Sequence, residues 1–319
     1  SSGARSRVSH ASGGCSDLSV EDRMKYAYFP GCSAQSTCKE LNASTRKVAE
    51  RLGLDLVEYR SATCTGSREI RAVNPGLFLA LNARMLAMAE RDELPLMTIC
   101  NTCTLNFLDV IKTLDEDTDA CGRVNEVLAE EGLQYRGTAS VKHFLWVLLE
   151  DIGEDRLRQM VVNPLTGLDI GAFYGCHITR PPAHYGFFDS RNNRSIEKLN
   201  EILGCRSIDY SGRTECCGFH TAASEEVVAI NLVAKHLKNA KDVGVSAIVT
   251  PCPLCHTVLD AFQGEMEKTL NSRLQVPIIH LPQLVGLALG LSPESLQMDR
   301  HMVPFSEKTV HRVVRIHAR

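Results

Sequence analysis

The chain has no run of 18 or more apolar residues, so nothing in it reads as a membrane-spanning helix. It has no excess of positive charge. Its 35 Lys and Arg stand against 38 Asp and Glu, for a net charge of −3 and a pI of about 6.4, which gives no electrostatic ground for binding nucleic acid or an anionic membrane. No G-x-G-x-x-G is present, so the sequence offers no fingerprint for a flavin or nicotinamide dinucleotide. Residues 1–22 are rich in Ser and Gly but lack the apolar stretch of a signal peptide; residues 1–24 are read as a flexible tail or docking segment. There is a single Trp, set in Phe144-Leu-Trp-Val-Leu-Leu149, and it reads as part of a core helix. With 44% hydrophobic and 23% charged residues, 319 residues suffice for a substantial core in two domains or one pseudo-symmetric one.

What the chain does have is cysteine, 13 residues in all, nine of them in a pattern that occurs twice. The first copy is Cys32, then Cys64-Thr65-Gly66, then Cys100-Asn-Thr-Cys103. The second is Cys176, then Cys216-Cys217-Gly218, then Cys252-Pro-Leu-Cys255. The step from Cys64 to Cys100 is 36 positions, as is the step from Cys216 to Cys252, whereas the first gaps are 32 and 40. In a chain of this size such spacings read as metal ligands before disulfides. Thiolates in a fixed array are what soft metals and iron–sulfur clusters require, and their survival calls for a reducing compartment.

The repeat extends beyond cysteine. Tyr26-Ala-Tyr-Phe-Pro-Gly-Cys32 matches Ile170-Gly-Ala-Phe-Tyr-Gly-Cys176, each a short apolar run delivering a ligand from a strand end. Helical spacing over 43–52 and 194–203 ends in Gly53 and Gly204. Second strands are expected over 54–59 and 205–210, long helices over 77–91 and 224–242, and third strands over 95–99 and 246–250. A further strand over 276–280 leads into an apolar helix over 281–291, which is a candidate partner-contact surface together with the tail. The fold class is therefore α/β: two pseudo-symmetric repeats, each with short parallel strands and helices around a site at the strands' carboxyl ends. The boundaries read are 25–160 for the first repeat with its following helices and 161–319 for the second repeat with the C-terminal segment.

Five thiols in the second copy are one too many for zinc or a cubane [4Fe–4S] cluster. Adjacent Cys216 and Cys217 do not readily reach one corner metal together. They can reach two irons, or share one sulfur between them, which points to an opened cluster with an iron free to accept a substrate sulfur. Four thiols in the first copy fit a cubane, a [2Fe–2S] cluster or zinc. Cys15, Cys38, Cys121 and Cys205 read as bystanders, although Cys38 is a stand-in ligand to weigh for the first site. His177 and His256 each follow a ligand and are candidate partners of cluster sulfur or proton sources for a departing thiolate. His220 and Arg180 are candidates for a substrate entrance. Gly31, Gly66, Gly175 and Gly218 suit tight turns beside the ligands.

The doubled pattern resembles the B-type subunit of heterodisulfide reductase, the CCG-domain family, over roughly residues 26–296. The resemblance is carried by Phe29-Pro-Gly-Cys32, Phe173-Tyr-Gly-Cys-His177, Cys216-Cys-Gly218, Cys252-Pro-Leu-Cys255 and His280-Leu-Pro-Gln-Leu-Val-Gly-Leu-Ala-Leu-Gly290. It implies that a complete motif holds a noncubane [4Fe–4S] cluster of two fused smaller units on five cysteines, which cleaves a disulfide and carries the resulting sulfurs. Here only Cys176, Cys216, Cys217, Cys252 and Cys255 make a complete set, because Thr65 interrupts the first. The resemblance implies an iron–sulfur subunit of a multi-subunit oxidoreductase, with flavoprotein and iron–sulfur partner subunits. Cys32, Cys64, Cys100 and Cys103 would hold a relaying [4Fe–4S] or [2Fe–2S] cluster or zinc, while Cys216, Cys217, His177 and His256 act on a thiol or disulfide. Similar subunits occur in unusual succinate dehydrogenases and fumarate reductases, which makes a quinone-reactive subunit the alternative; a non-catalytic metal-binding scaffold is the second. The expected location is cytoplasmic, with any membrane contact peripheral and through the complex, and no nucleic acid is expected as a partner.

Overall fold

The computed structural model describes residues 23–185 and 193–305. The tail with Cys15 lies outside the described residues. Two four-stranded sheets form the frame, with strand orders β2-β1-β3-β4 and β6-β5-β7-β8, and every pairing is parallel. The first sheet comprises β1 (Met24–Phe29), β2 (Leu54–Glu58), β3 (Leu96–Thr98) and β4 (Val141–His143). The second comprises β5 (Asp169–Ala172), β6 (Arg206–Ile208), β7 (Ala247–Thr250) and β8 (Ile278–His280). Parallel neighbours need long crossovers, and helices supply them. In the first half these are α1 (Cys32–Gln35), α2 (Lys39–Leu52), α3 (Glu69–Val73), α4 (Pro75–Arg91), α5 (Asn101–Glu116) and α6 (Thr118–Ala129). The chain then passes through α7 (Phe144–Trp146), a π-helical stretch (Val147–Gly153) and α8 (Glu154–Met160). The second half adds α9 (Ser195–Ile202), α10 (Phe219–Ala222), α11 (Glu226–Asp242), α12 (Pro253–Ala261), α13 (Gln263–Leu270) and α14 (Leu281–Ala288).

Sheets covered on both faces need apolar side chains on both, and the strands comply: Tyr26 to Phe29 in β1 and all of β7 are buried. The two apolar clusters each draw on both halves. One joins Leu41, Val48 and Leu52 of α2 to Leu284, Val285 and Leu287 of α14. The other joins Phe29 and Phe107 to Val233, Leu237 and Val258. Phe29 meets Phe107 edge-on, with ring centroids 5.2 Å apart, the geometry aromatic pairs prefer. Loss of a side chain such as Phe107 would cost about 3–5 kcal/mol.

The structure differs from the sequence expectation in three places. Strand β4 was not foreseen, because three residues are too short to show a period. Its alignment with Ile278-Ile-His280 shows that the repeat reaches a fourth strand. The helix expected over 144–149 is instead a short α-helix running into a π-helix that ends at Gly153. Helix α14 is buried at every residue, so it forms core rather than a partner surface; its mostly apolar sequence suits a helix enclosed on all sides. Among the described residues no helix is long and apolar enough to cross a membrane.

Candidate metal centres

Each half delivers cysteines from three places to the carboxyl end of its sheet. Cys32 opens α1 after β1, Cys100 caps α5 after β3, and Cys103 lies on that helix's first turn. In the second half Cys252 caps α12 after β7 and Cys255 lies on its first turn, while Cys176 follows β5. The loops after β2 and β6 bring Cys64 and Cys216-Cys217 inward, and Gly66 N–H and Gly218 N–H donate back to Cys64 Sγ (3.4 Å) and Cys216 Sγ (3.3 Å). Glycine is required where the backbone crowds the ligands. Gly175 has φ +68°, and a Cβ there would lie 2.7 Å from Cys255 Sγ; at Gly31, φ +80°, it would lie 3.5 Å from Cys103 Sγ.

All nine predicted cysteines fall into two adjoining arrays. Cys32 Sγ lies 3.4 Å from Cys64 Sγ. Thiol–thiol interactions link Cys176 to Cys216, Cys216 to Cys217, Cys217 to Cys255 and Cys255 to Cys252, and Cys252 in turn meets Cys100, the partner of Cys103. Cys100 and Cys252 thus influence each other's ionisation across the boundary between the two arrays.

These contacts govern ionisation. Interaction with Cys64 pulls Cys32 down to about 6, and interaction with Cys32 pushes Cys64 up. Interactions with Cys176 and Cys217 pull Cys216 down to about 2, while Cys176 and Cys217 are raised by the same contacts. One thiol in each pair gives up its proton and its neighbour keeps one. Thiolates this close cannot all ionise without a cation among them. Sulfur donors in sets of four and five, held by short turns and with glycine where a Cβ would intrude, fit an iron–sulfur cluster in each half.

The arrays differ in shape. A cavity of about 180 Å³ opens on the first, lined by Cys32, Cys64, Cys100 and Cys103 together with Phe219, Pro253 and Leu254 from the other half. The second is much smaller, about 10 Å³, and is lined by its five cysteines, His177 and His220 and by Asn101 and Thr102 from the first half. Each C-x-x-C turn thus walls both sites. Thr65 sits where Cys217 sits in the other copy. Its hydroxyl donates to Cys103 Sγ (3.5 Å) and accepts from Asn106 Nδ2 (3.2 Å), and its carbonyl accepts from Asn82 Nδ2 (3.0 Å).

Of the predicted histidines, His177 stands in the second cavity, with Nδ1 2.8 Å from Thr102 Oγ1 and the His220 ring 5.4 Å away; burial lowers its pKa. His256 lines neither cysteine cavity. As the residue after Cys255 on α12 it turns away from that thiol, to where it stacks on His280 at 3.8 Å and contacts Ile278 O and His301 Nδ1. His220 lines the second cavity and pairs with Glu69 (2.8 Å), whereas Arg180 is held on Thr214 O and lines neither cavity. Cys38 is buried against Thr257 and Pro253, outside the first array. Cys205 is buried, and burial pushes its thiol up to about 12. The sequence reading missed Asn101 and Thr102. Asn101 donates to Tyr174 O (2.8 Å) and Thr102 meets His177, so both tie one half's motif to the other's. Their one signal was a polar Asn-Thr pair at positions where the second copy has Pro-Leu.

Fold and site together define a doubled cysteine-rich domain. The chain belongs to the CCG cysteine-rich domain family, whose model matches residues 26–108 and 170–260. It is 36% identical over 279 residues to the 8-methylmenaquinol:fumarate reductase membrane anchor subunit of Wolinella succinogenes, covering 88% of this chain and 97% of that one. It is 29% identical to the B-type subunit of the ferredoxin/F420H2-dependent CoB-CoM heterodisulfide reductase of Methanosarcina acetivorans, over 88% of this chain and 94% of that one. Among solved structures, a hypothetical protein from Helicobacter pylori superposes with a TM-score of 0.71 at 15% identity, over 88% of this chain and 52% of that chain. At that identity the likeness concerns the fold.

Proposed function

We propose that the chain is an iron–sulfur subunit of a multi-subunit oxidoreductase in which two unlike clusters lie side by side. Cys176, Cys216, Cys217, Cys252 and Cys255 hold a noncubane [4Fe–4S] cluster, and Cys32, Cys64, Cys100 and Cys103 hold a [4Fe–4S] or [2Fe–2S] cluster. The observation that carries this reading is that the two cysteine sets line two neighbouring cavities, each walled by the C-x-x-C turns of both halves. Such a cluster supplies electrons one at a time, so that a disulfide takes up two electrons and two protons to give two thiols. The residues around it position that exchange. Cys216 and Cys217 hold the reacting centre, His177, fixed by Thr102, faces it, and the narrow cavity limits water. The heterodisulfide reductase relatives support a thiol or disulfide as the substrate.

A second reading makes the chain the quinone-reactive subunit of a fumarate reductase or succinate dehydrogenase complex. It is favoured by the 36% identity to the membrane anchor subunit and by the cavity beside the first array, where Phe219 and Leu254 offer apolar walls to a ring. The same cavity would also serve a scaffold role, but nine converging thiols exceed what a scaffold needs. On either redox reading the partners are flavoprotein and iron–sulfur subunits. The thiols suit a cytoplasmic site of action, peripheral to the membrane through the complex. We place the working units at residues 25–160 and 161–319.

The test is turnover of the purified, cluster-loaded chain. Reduced viologen should drive reduction of a disulfide or a quinone analogue, and which of the two reacts decides between the readings. Turnover with NADH or succinate and no other protein would overturn the subunit reading.

A further inference from the structure

Cys38, Glu40, His256 and His280 come from three separate elements: the start of α2, the first turn of α12 and the end of β8. Each is at most 3% exposed, and one donor atom from each lies within 4.8 Å of all the others. None of the four lines either cysteine cavity.

The hydrogen bonds around His256 fix its tautomer. Gln283 Nε2 donates to Leu296 O (3.1 Å), and Gln283 Oε1 accepts from His280 N–H (2.9 Å), so that oxygen's identity is settled. Oε1 lies 2.9 Å from His301 Nε2, which must therefore carry the proton and leave Nδ1 an acceptor. His301 Nδ1 lies 2.8 Å from His256 Nε2, which in turn must be the donor; Ile278 O, at 3.2 Å, shares it. His256 Nδ1 is then a bare lone pair, buried, with no hydrogen-bond partner among the described residues. Native interiors rarely leave such an atom unmatched, and an imidazole whose far N–H is pinned to a carbonyl is the usual form of a metal-ligating histidine.

The repeat does not impose this arrangement. The position equivalent to His256 is Thr104, whose hydroxyl is used locally on Cys100 O (3.0 Å). The equivalent of His280 is His143, whose two nitrogens are taken by Leu145 N–H and Pro251 O. The neighbouring group of His256, Asp260 and His301 is a weaker candidate, since both Asp260 oxygens accept from the backbone N–H groups of Met302 and Val303, whereas Glu40 Oε1 meets the His280 ring, itself a member of the chosen group, at 3.2 Å.

We propose that Cys38, Glu40, His256 and His280 form a structural Zn²⁺ site, apart from the two cysteine arrays, that staples the first half to the second. A thiolate and a carboxylate neutralise the ion in a site too buried to hold a net charge, and one sulfur, two nitrogens and one oxygen suit tetrahedral zinc. Metal binding would displace the Cys38 thiol proton. The Arg300 guanidinium, 3.2 Å from Glu40 Oε2, orients the carboxylate.

The experiment is metal analysis and zinc K-edge absorption fine structure on the full chain, purified anaerobically with its iron centres loaded. The expected result is one zinc per chain, with one sulfur at about 2.3 Å and three nitrogen or oxygen neighbours at about 2.0–2.1 Å. Cys38→Ala and Glu40→Gln should each weaken zinc retention against a chelator by about 10–100-fold or more while the iron count and its paramagnetic signals stay. Iron-loaded protein without zinc, or zinc ringed by four sulfurs and hence seated in the first cysteine array, would overturn the proposal. Both outcomes are read on the unsubstituted protein, so they do not depend on the variants folding, and the iron count tests the cluster reading separately.

Discussion

The two halves share one topology and one ligand geometry, yet they treat a single position in opposite ways. In the second half it is Cys217, a fifth thiol in contact with Cys216 and Cys255. In the first half it is Thr65, whose hydroxyl hydrogen-bonds the sulfur of Cys103 instead of adding a sulfur of its own. Asn82 and Asn106 anchor Thr65 from behind, so the replacement is a built feature with its own polar support. On the proposed reading a ligand has been exchanged for a donor to a ligand, and hydrogen bonds to cluster sulfur are one means by which a protein sets potential. Exposure differs in part: Cys32 and Cys64 are exposed while Cys100 and Cys103 are buried, whereas in the second half Cys217, Cys252 and Cys255 are buried and Cys176 and Cys216 half-buried. The first array gathers four thiols beside a cavity of about 180 Å³ and the second five around one of about 10 Å³.

The largest effect should come from making the second site resemble the first. Cys217→Ser should alter the paramagnetic spectrum of the second centre and lower activity by more than about 100-fold, beyond what loss of a supporting contact costs, while much of the iron stays bound. An unchanged spectrum and rate would remove Cys217 from the ligand set. Next come the two glycines. Gly175→Ala adds a clash with Cys255 Sγ to the left-handed backbone cost of about 1–2 kcal/mol; Gly31→Ala carries the backbone cost with only ordinary contact to Cys103. Iron analysis should show the second centre depleted in the former and the first centre largely kept in the latter. Equal losses would mean that the backbone, not the sulfur, sets the requirement.

Thr65→Cys should move the first centre's spectrum toward that of the second, whereas Thr65→Val should shift its potential through the lost hydrogen bond, with about 1 kcal/mol lost from stability. Redox titration of both variants checks this. The smallest effect should come from Thr102→Val. It removes the 2.8 Å contact to His177, worth about 1 kcal/mol, and should slow turnover at the second centre about fivefold although Thr102 belongs to the first motif. A rate unchanged within error would detach His177 from that chemistry.

Much of this was legible in the sequence because ligands declare themselves by spacing. The doubled Cys-x-Gly and C-x-x-C turns marked both sites, and the apolar runs before Cys32 and Cys176 marked the strands that deliver them. Short elements escaped, since β4 has three residues and no period of its own. Direction escaped as well. His256 follows a ligand in sequence, but one step along a helix turns a side chain by about 100°, and that step faces it away from Cys255 toward His280. Contacts between the halves, such as α2 with α14, carry no local signal. For the same reason the apolar stretch 281–291 read as a surface candidate, although it packs against the other half.

The most direct test of two unlike centres in one chain is an anaerobic crystal structure phased on the anomalous scattering of iron. The account predicts iron at both arrays, ligated by Cys176, Cys216, Cys217, Cys252 and Cys255 in the second and by Cys32, Cys64, Cys100 and Cys103 alone in the first. A cubane in the second array that leaves Cys217 unligated, or a first centre that recruits Cys38 as a fifth thiolate, would contradict it.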